Sequence, residues 1–494
     1  MSDAVAAIVE RADALTSAGE WNAAVELLER ELERHADDAS LLTALAETYR
    51  YLNRHREALQ LLTRARELSP DDRQVLLLIG VAYRDAADIW AALAAHKRLV
   101  DLYPADSQAI RQHALTLTVL GKPDQALPVL EALVSREPDE LAHQVALGRT
   151  LLRMGRYREA AERLETVVEA GPDQLWAWIA LAETYYQQRR MTDWKHAVRR
   201  AVELNPDHPA VRVQDSHVAF YLDGDIGRAI TDCERALAVN PRWFSAHVAL
   251  GVLAWNGKQL DLAEQNLTQA AQIAPWSGVV LGVLAQFRAE TRRGKVPLDA
   301  LEDKVAELPY GGLAGYLGRI CYDVFDDNER AVRLLEIAVR TAPEDAQSSY
   351  YLACAYHAVR RYDDAAAAAK RAVDLLPGFG EAWIILGRSY VVLHRYADAV
   401  EALERGLARL PDDPVARGSY GVALSGVGDK RAAIAAYEQA LAALPDEGTL
   451  LYNLANTLYE VGELERARGF AERARQHVPA DDANLGELLQ LLGM

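Results

Sequence analysis

The chain has 494 residues, half of them hydrophobic and 26% charged; a single core stops growing well short of that length, so several domains or a repeat array are expected rather than disorder. Its formal charge of −18 is the wrong sign for a non-specific hold on phosphate backbones or anionic lipid, which argues against nucleic acid as a partner. Lysine is scarce beside arginine and alanine is abundant, a balance that points to a GC-rich bacterial genome.

At the N-terminus, "MSDAVAAIVERAD" carries Asp3, Glu10 and Asp13 and lacks the basic-then-apolar pattern of a secretory leader. No apolar run approaches the roughly 18 residues of a membrane span, so membrane insertion is not expected. Cys233, Cys321 and Cys354 lie far apart without zinc or disulfide spacing. A cytoplasmic location fits them best.

Along the chain the prolines keep time. Pro70, Pro104, Pro138, Pro172 and Pro206 are spaced by 34, Pro241 follows after 35, and Pro275 through Pro479 resume the step of 34. Twelve residues before each proline stands a small residue in most units, beginning at Ala58, Ala92, Ala126 and Ala160; Trp194 and Pro297 interrupt it, and Ala433 and Ala467 end it. A third grid of small residues runs through Ala46, Gly80, Ala114, Gly148, Ala182, Gly251 and Gly387. Within a unit, apolar residues recur at helical spacing in two blocks, such as Leu42, Leu45 and Tyr49, then Leu59, Leu62 and Ala65. The fixed small residues predict close approach of two antiparallel helices. The proline ends the second helix, and the acidic residues of "PDD", "PAD", "PDE" and "PED" predict a cap for the next. Each unit is expected to touch only its neighbours. Ala160 and Ala433 should lie where helices nearly meet, whereas Arg163 should face solvent.

These units resemble the tetratricopeptide repeat, a 34-residue helix–turn–helix with a small residue at place 8, alanine at place 20 and proline at place 32. The resemblance covers fourteen units from about residue 5 to 481 and implies an all-α, right-handed superhelical solenoid. It divides the chain into repeats 1–8 (1–277), a degenerate ninth unit and possible hinge (278–311), repeats 10–14 (312–481) and a C-terminal capping helix (482–494). The ninth unit is marked by Pro297 at place 20 and by clustered glycines including Gly278, Gly282, Gly294 and Gly312. Trp194 at place 20 of the sixth is expected to spread its two helices.

Catalytic and cofactor signals are missing from the sequence. "GVLAWNGKQ" at 251–259 has the wrong spacing for a phosphate loop and ends in Gln259 where Ser or Thr would hold magnesium. No H-E-x-x-H, G-x-S-x-G or His/Cys metal spacing occurs. The expectation is a non-enzyme with no cofactor and no metal.

In the resembled family, places 2, 5, 6, 9, 12 and 13 of the first helices line a binding groove. Those places give an N-terminal arginine zone of Arg50, Arg84, Arg111 and Arg149, with Arg153 beyond and Glu47 and Asp85 interspersed. Guanidinium groups there would suit a carboxylate-rich peptide. A central aromatic zone follows, with Trp176 at place 2 and Tyr186, Tyr221 and Trp255 at place 12. In the last unit Tyr452, Asn453, Asn456 and Tyr459 point the same way. The expected function is a protein–protein interaction scaffold that holds a peptide segment or partner domain. The alternatives are a structural protein that self-associates through its end repeats or the tail around Leu491, and a ligand sensor or regulatory subunit.

Overall fold

The computed structural model describes residues 3–17, 20–52, 54–479 and 482–494. Residues 480 and 481, where the last repeat is expected to pass into the closing segment, lie outside the described residues. The described elements are α-helices in succession from Asp3–Ser17 to Ala483–Leu491, with one 3-10 turn at Pro309–Gly311 and no strand among the described residues. The fold is an all-α superhelical repeat. Two units form along it, residues 1–316 with 341–343, and residues 317–340 with 344–494.

Three devices recur along the repeats, although the first helices after Gln174, Trp243 and Phe379 lack a side-chain cap. The first helix is capped by the residue just before it: the side chains of Asp38, Asp72, Asp106, Asp345 and Asp413 each accept an amide hydrogen bond from the opening turn. The second device reverses the chain. The residue at place 15 takes a left-handed conformation, as at Gly121, Gly155, Gly428 and Gly462, and also at Ala87, Arg189, Lys258, Arg360 and His394, where φ is 57–62°. Holding non-glycine residues there costs energy that packing must offset.

The third device locks the two helices together. The small residue at place 8 leaves a hole that the side chain at place 24 of the same repeat fills. A Cβ on Gly148 would lie 2.6 Å from Leu164 Cγ, one on Gly251 2.6 Å from Leu267 Cγ, and one on Gly387 2.5 Å from Leu403 Cγ. Beside this lock, Ala58, Ala92, Ala126, Ala160, Ala229, Ala263, Ala399, Ala433 and Ala467 at place 20 are all completely buried.

Repeat 3 departs in an instructive way. Its place 24 is His96, fully buried, where Leu62 and Leu130 stand in the flanking repeats. Its ring sits over Gly80, and its Nδ1 lies 2.8 Å from Thr116 Oγ1. Burial, with Arg84 nearby as a lesser cause, pushes the imidazole pKa down to about 3.

Contacts in the first unit are not confined to neighbouring repeats, contrary to the expectation from the sequence. Ile89 and Leu120 of repeats 3 and 4 share an apolar cluster with Ala270, Ala274 and Trp276 of repeat 8 and Val280 of repeat 9. Polar contacts reinforce it: Asn240 Nδ2 donates to the Asp85 carbonyl (3.3 Å) and Arg242 Nε to the Ala86 carbonyl (3.0 Å). Apolar side chains on the turn edge of the repeats, which a simple stack would leave wet, drive this winding.

The irregular repeats adapt locally. The extra residue of repeat 7 lies in its interhelix turn, after the helix Pro209–Tyr221 and before Ile226–Val239. Tyr221 is therefore at place 13, one later than the sequence spacing suggested, and Phe220 holds place 12. In repeat 9, Pro297 precedes the shortened helix Leu298–Glu307 as its cap rather than opening it. Gly282 makes room for Tyr316, since a Cβ there would fall 2.5 Å from the ring. The closing helix Ala483–Leu491 buries Leu485 and Leu488, as well as the adjoining Leu492, against the last repeat, and leaves Leu491 55% exposed.

Two outcomes test this packing. Ala160→Leu or Ala433→Leu should destabilise by about 1–3 kcal/mol through overpacking. Arg163 is not the solvent-facing control that the sequence suggested, because its Nη1 donates to Gln144 Oε1 at 2.6 Å and its Nε is buried. The exposed Glu162 serves instead, and Glu162→Leu should stay within about 0.5 kcal/mol in denaturant unfolding. His96 gives the second. The unfolded chain binds a proton near pH 6.5 and folded His96 only near pH 3, so its share of stability is complete above 6.5 and declines as pH falls. His96→Leu should flatten the fall in melting temperature between pH 7 and 5. An unchanged slope would remove His96 from that account.

Candidate binding surface

The first helices of repeats 2, 3, 4 and 6 share one cavity in the first unit. Glu47 and Arg50 of helix Ala39–Tyr51, Gln74 and Arg84 of Arg73–Asp85, Gln108 and Gln112 of Ser107–Val119, and Trp176 of Leu175–Gln187 line one cavity of about 260 Å³. Repeat 6 thus contributes to a pocket begun by repeat 2. Spacing along the sequence could not show this.

The five arginines Arg50, Arg84, Arg111, Arg149 and Arg153 have different surroundings. Arg50 is paired with Asp85, Nε to Oδ2 at 3.3 Å. Arg111 is taken up by structure: its Nη1 is 3.2 Å from His143 Nδ1, and His143 Nε2 lies 3.0 Å from Glu137. Arg153 makes a two-pronged contact with Glu183, at 2.7 and 3.3 Å. Arg84 and Arg149, by contrast, form no ion pair among the described residues. Arg84 Nη1 is buried with no hydrogen-bond partner, as is Gln112 Oε1. Arg149 lies 4.7 Å over the Trp176 ring. Burial and then repulsion from Arg84 and Arg153 lower its pKa to about 10. Burial also raises the pKa of Glu47, against the opposing pull of Arg50.

The aromatic zone is organised around a residue at the wrong place. Trp194 is completely buried, and rather than lying idle between its helices it backs the two tyrosines. Its ring is 4.9 Å from Tyr186 and 6.5 Å from Tyr221, and the tyrosines are 5.9 Å apart. Tyr221 remains 51% exposed and Trp176 39%. Tyr186 and Trp255 are half-buried, Trp255 edge-on to Phe287 at 5.4 Å. Trp176 meets His208 edge-on at 5.1 Å. His217, which the sequence reading passed over, occupies place 9 between these elements, and burial pushes its pKa down to about 4.

In the second unit Asn456 donates its amide to Glu460 Oε1 at 3.2 Å within its own helix. Tyr452 packs on the terminal cluster, where Asp482 and Glu487 of the closing segment add to the burial that raises its pKa. Asn453 and Tyr459 are half-buried beside them. A second set was missed by the sequence reading: Tyr322 and Tyr351 with rings 6.4 Å apart, Cys354, His357 and Arg388. His357 Nε2 is buried without a partner, and burial with Arg388 lowers its pKa to about 4. The same place filter, applied to repeats 11 and 12, selects Tyr351, Cys354, His357 and Arg388 at places 6, 9, 12 and 9.

No described helix is long and apolar enough to cross a membrane, and no metal-holding group occurs among the described residues. No curated protein matches the chain. Among solved structures, the chain is similar to one described as the crystal structure of the APC/C hetero-tetramer Cut9–Hcn1. The two are 15% identical with a TM-score of 0.52, over 93% of this chain and 91% of that one. That likeness speaks to the fold. Family models for the tetratricopeptide repeat match residues 15–82, 117–176, 151–214, 356–420 and 426–492, and a second model with the same description matches 219–277 and 325–378. With more than half of its length matched in register with its helix pairs, the chain belongs to the tetratricopeptide repeat family.

Proposed function

We propose that the chain is a non-catalytic scaffold that holds a segment of a partner protein against the inner face of repeats 5–8. One observation carries the reading: Trp176 and Tyr221 are exposed on first helices, yet each ring is held from behind, by Arg149 and by Trp194 respectively. Rigid aromatic anchors lose little conformational freedom on binding and dominate interface energies. Packing of repeats occupies nearly the whole length, which favours a binding role over catalysis. The three cysteines are buried and form no disulfide among the described residues, in keeping with a reducing cytoplasm. The similar solved structure is by its title part of a hetero-tetramer, and assembly with other proteins is extended here to this chain. Exposed Leu464 and Leu491 at the C-terminal end favour a second, subsidiary reading, self-association, which concentration-dependent sedimentation would reveal.

Photo-cross-linking tests the main reading. A benzophenone amino acid at Tyr221 or Trp176 should capture a partner in cells, while one at Trp90, 57% exposed on a second helix, should not. Capture from Trp90 alone would place the contact elsewhere. Tyr221→Ala should shift stability by no more than about 1 kcal/mol and abolish capture from Trp176. Trp194→Ala should cost about 3–5 kcal/mol and lose capture as well, since it removes the support of both tyrosines.

A further inference from the structure

We propose that the contact between successive turns of the first unit is a clasp that opens and closes, and that its state sets the width of the cavity walled by helices Arg73–Asp85 and Ser107–Val119. This motion belongs to the chain alone and stands whether or not the inner face receives a partner. The contact runs edge to edge, with places 13–17 of repeats 3–5 meeting places 31 and 33 of repeats 7–10. Asn240 and Arg242 donate to the carbonyls of Asp85 and Ala86, and Ile89 and Leu120 cluster with Ala274 and Trp276. Leu308 and Ala342 come down on Gly121 and Gly155. Among the described residues no helix of repeats 3–5 lies along one of repeats 7–9. The contact is therefore a seam of turn and loop residues, the kind that opens at low free energy while packed helices stay folded.

Two helices carry the cavity on one face and the seam at one end. Helix Arg73–Asp85 supplies Gln74, Leu78 and Arg84 to the cavity wall. It ends at Asp85, whose carboxylate pairs with Arg50 of the same wall and whose carbonyl accepts from Asn240. Helix Ser107–Val119 supplies Gln108 and Gln112 and runs out into the seam at Leu120 and Gly121. A helix carries a displacement of its end along its length, so release of the seam moves both walls together.

Gly155 is fitted to the closed form. Its φ of 64° is close to the 57–60° held by Ala87, Arg189 and Lys258 at the same place of other repeats, so the turn alone does not demand glycine. The overlying loop does, since a Cβ on Gly155 would fall 2.6 Å from Ala342 Cα.

Fluorine NMR of the full-length chain carrying 5-fluorotryptophan tests the clasp, with Trp276 in the seam and Trp176 at the cavity each assigned by substitution with Phe. Saturation-transfer spectra should show both rings exchanging with a minor state of one shared population, about 0.1–10%. Gly121→Cys with Leu308→Cys staples the seam, because a Cβ at position 121 would lie 3.8 Å from Leu308 Cβ, the usual separation across a disulfide. Oxidation should abolish the minor state at both rings, and reduction should restore it. Gly155→Asn keeps a residue that tolerates the left-handed turn but adds the clashing Cβ. It should raise the minor population at least about tenfold at both rings while far-ultraviolet circular dichroism stays unchanged. Exchange at Trp276 that Trp176 does not share would overturn the coupling. No minor state at either ring, or one that survives oxidation, would overturn the clasp itself.

Discussion

The packing of this molecule depends on a hole left at place 8 of most repeats, moved to Gly318 at place 7 in repeat 10. A glycine or alanine there admits the place-24 side chain so closely that a methyl group on Gly148, Gly251 or Gly387 would overlap a leucine. Helices joined in this way cannot slide, because sliding would separate the knob from its hole. With the pair locked, the left-handed residue at place 15 and, in many repeats, an acidic cap before the next helix fix where a repeat begins and ends. Repetition of one local lock sets the superhelix.

The lock also shows how a repeat protein carries specific chemistry without a separate domain. Places 8, 20 and 24 are committed to packing, while the inner-face places of the first helices are not. Arginine, glutamine, tryptophan and tyrosine there do not disturb the array. Arg84 and Arg149 hold desolvated charge without an ion-pair partner among the described residues, a cost that packing of the rest must offset. His96 shows the limit of this freedom. A titratable ring placed at a packing position is held neutral, and its proton affinity becomes part of the stability of repeat 3.

Trp194 and the winding of the first unit are the two departures that shape the surface. An indole where alanine normally sits does not simply wedge helices apart. It becomes the backing on which Tyr186 and Tyr221 rest. The winding, held by Ile89, Leu120, Trp276 and the Asn240 and Arg242 contacts, accompanies the approach of Trp176 to a pocket that repeat 2 begins. Local substitutions on a regular array thus set both the anchors and the cavity.

The sequence by itself determined the helical pairs, their register outside repeats 7 and 9, and the acidic caps of many first helices. All of these follow from interactions among residues within one 34-residue period, which the proline and alanine grids record directly. It also placed Arg84, Arg149, Trp176 and Tyr221 on first helices. Which of the arginines are spoken for was decided only by tertiary structure. Arg111 is tied to His143 and Arg153 to Glu183, in both cases across adjoining repeats, whereas Arg84 and Arg149 are not tied to a carboxylate among the described residues. The pocket that joins repeats 2 and 6 was likewise out of reach, because Glu47 and Trp176 line it together from repeats several periods apart, and periodicity says nothing about separations longer than its own period. The shift of Tyr221 to place 13 belongs with these, since only the folded turn at 222–225 shows where the extra residue went.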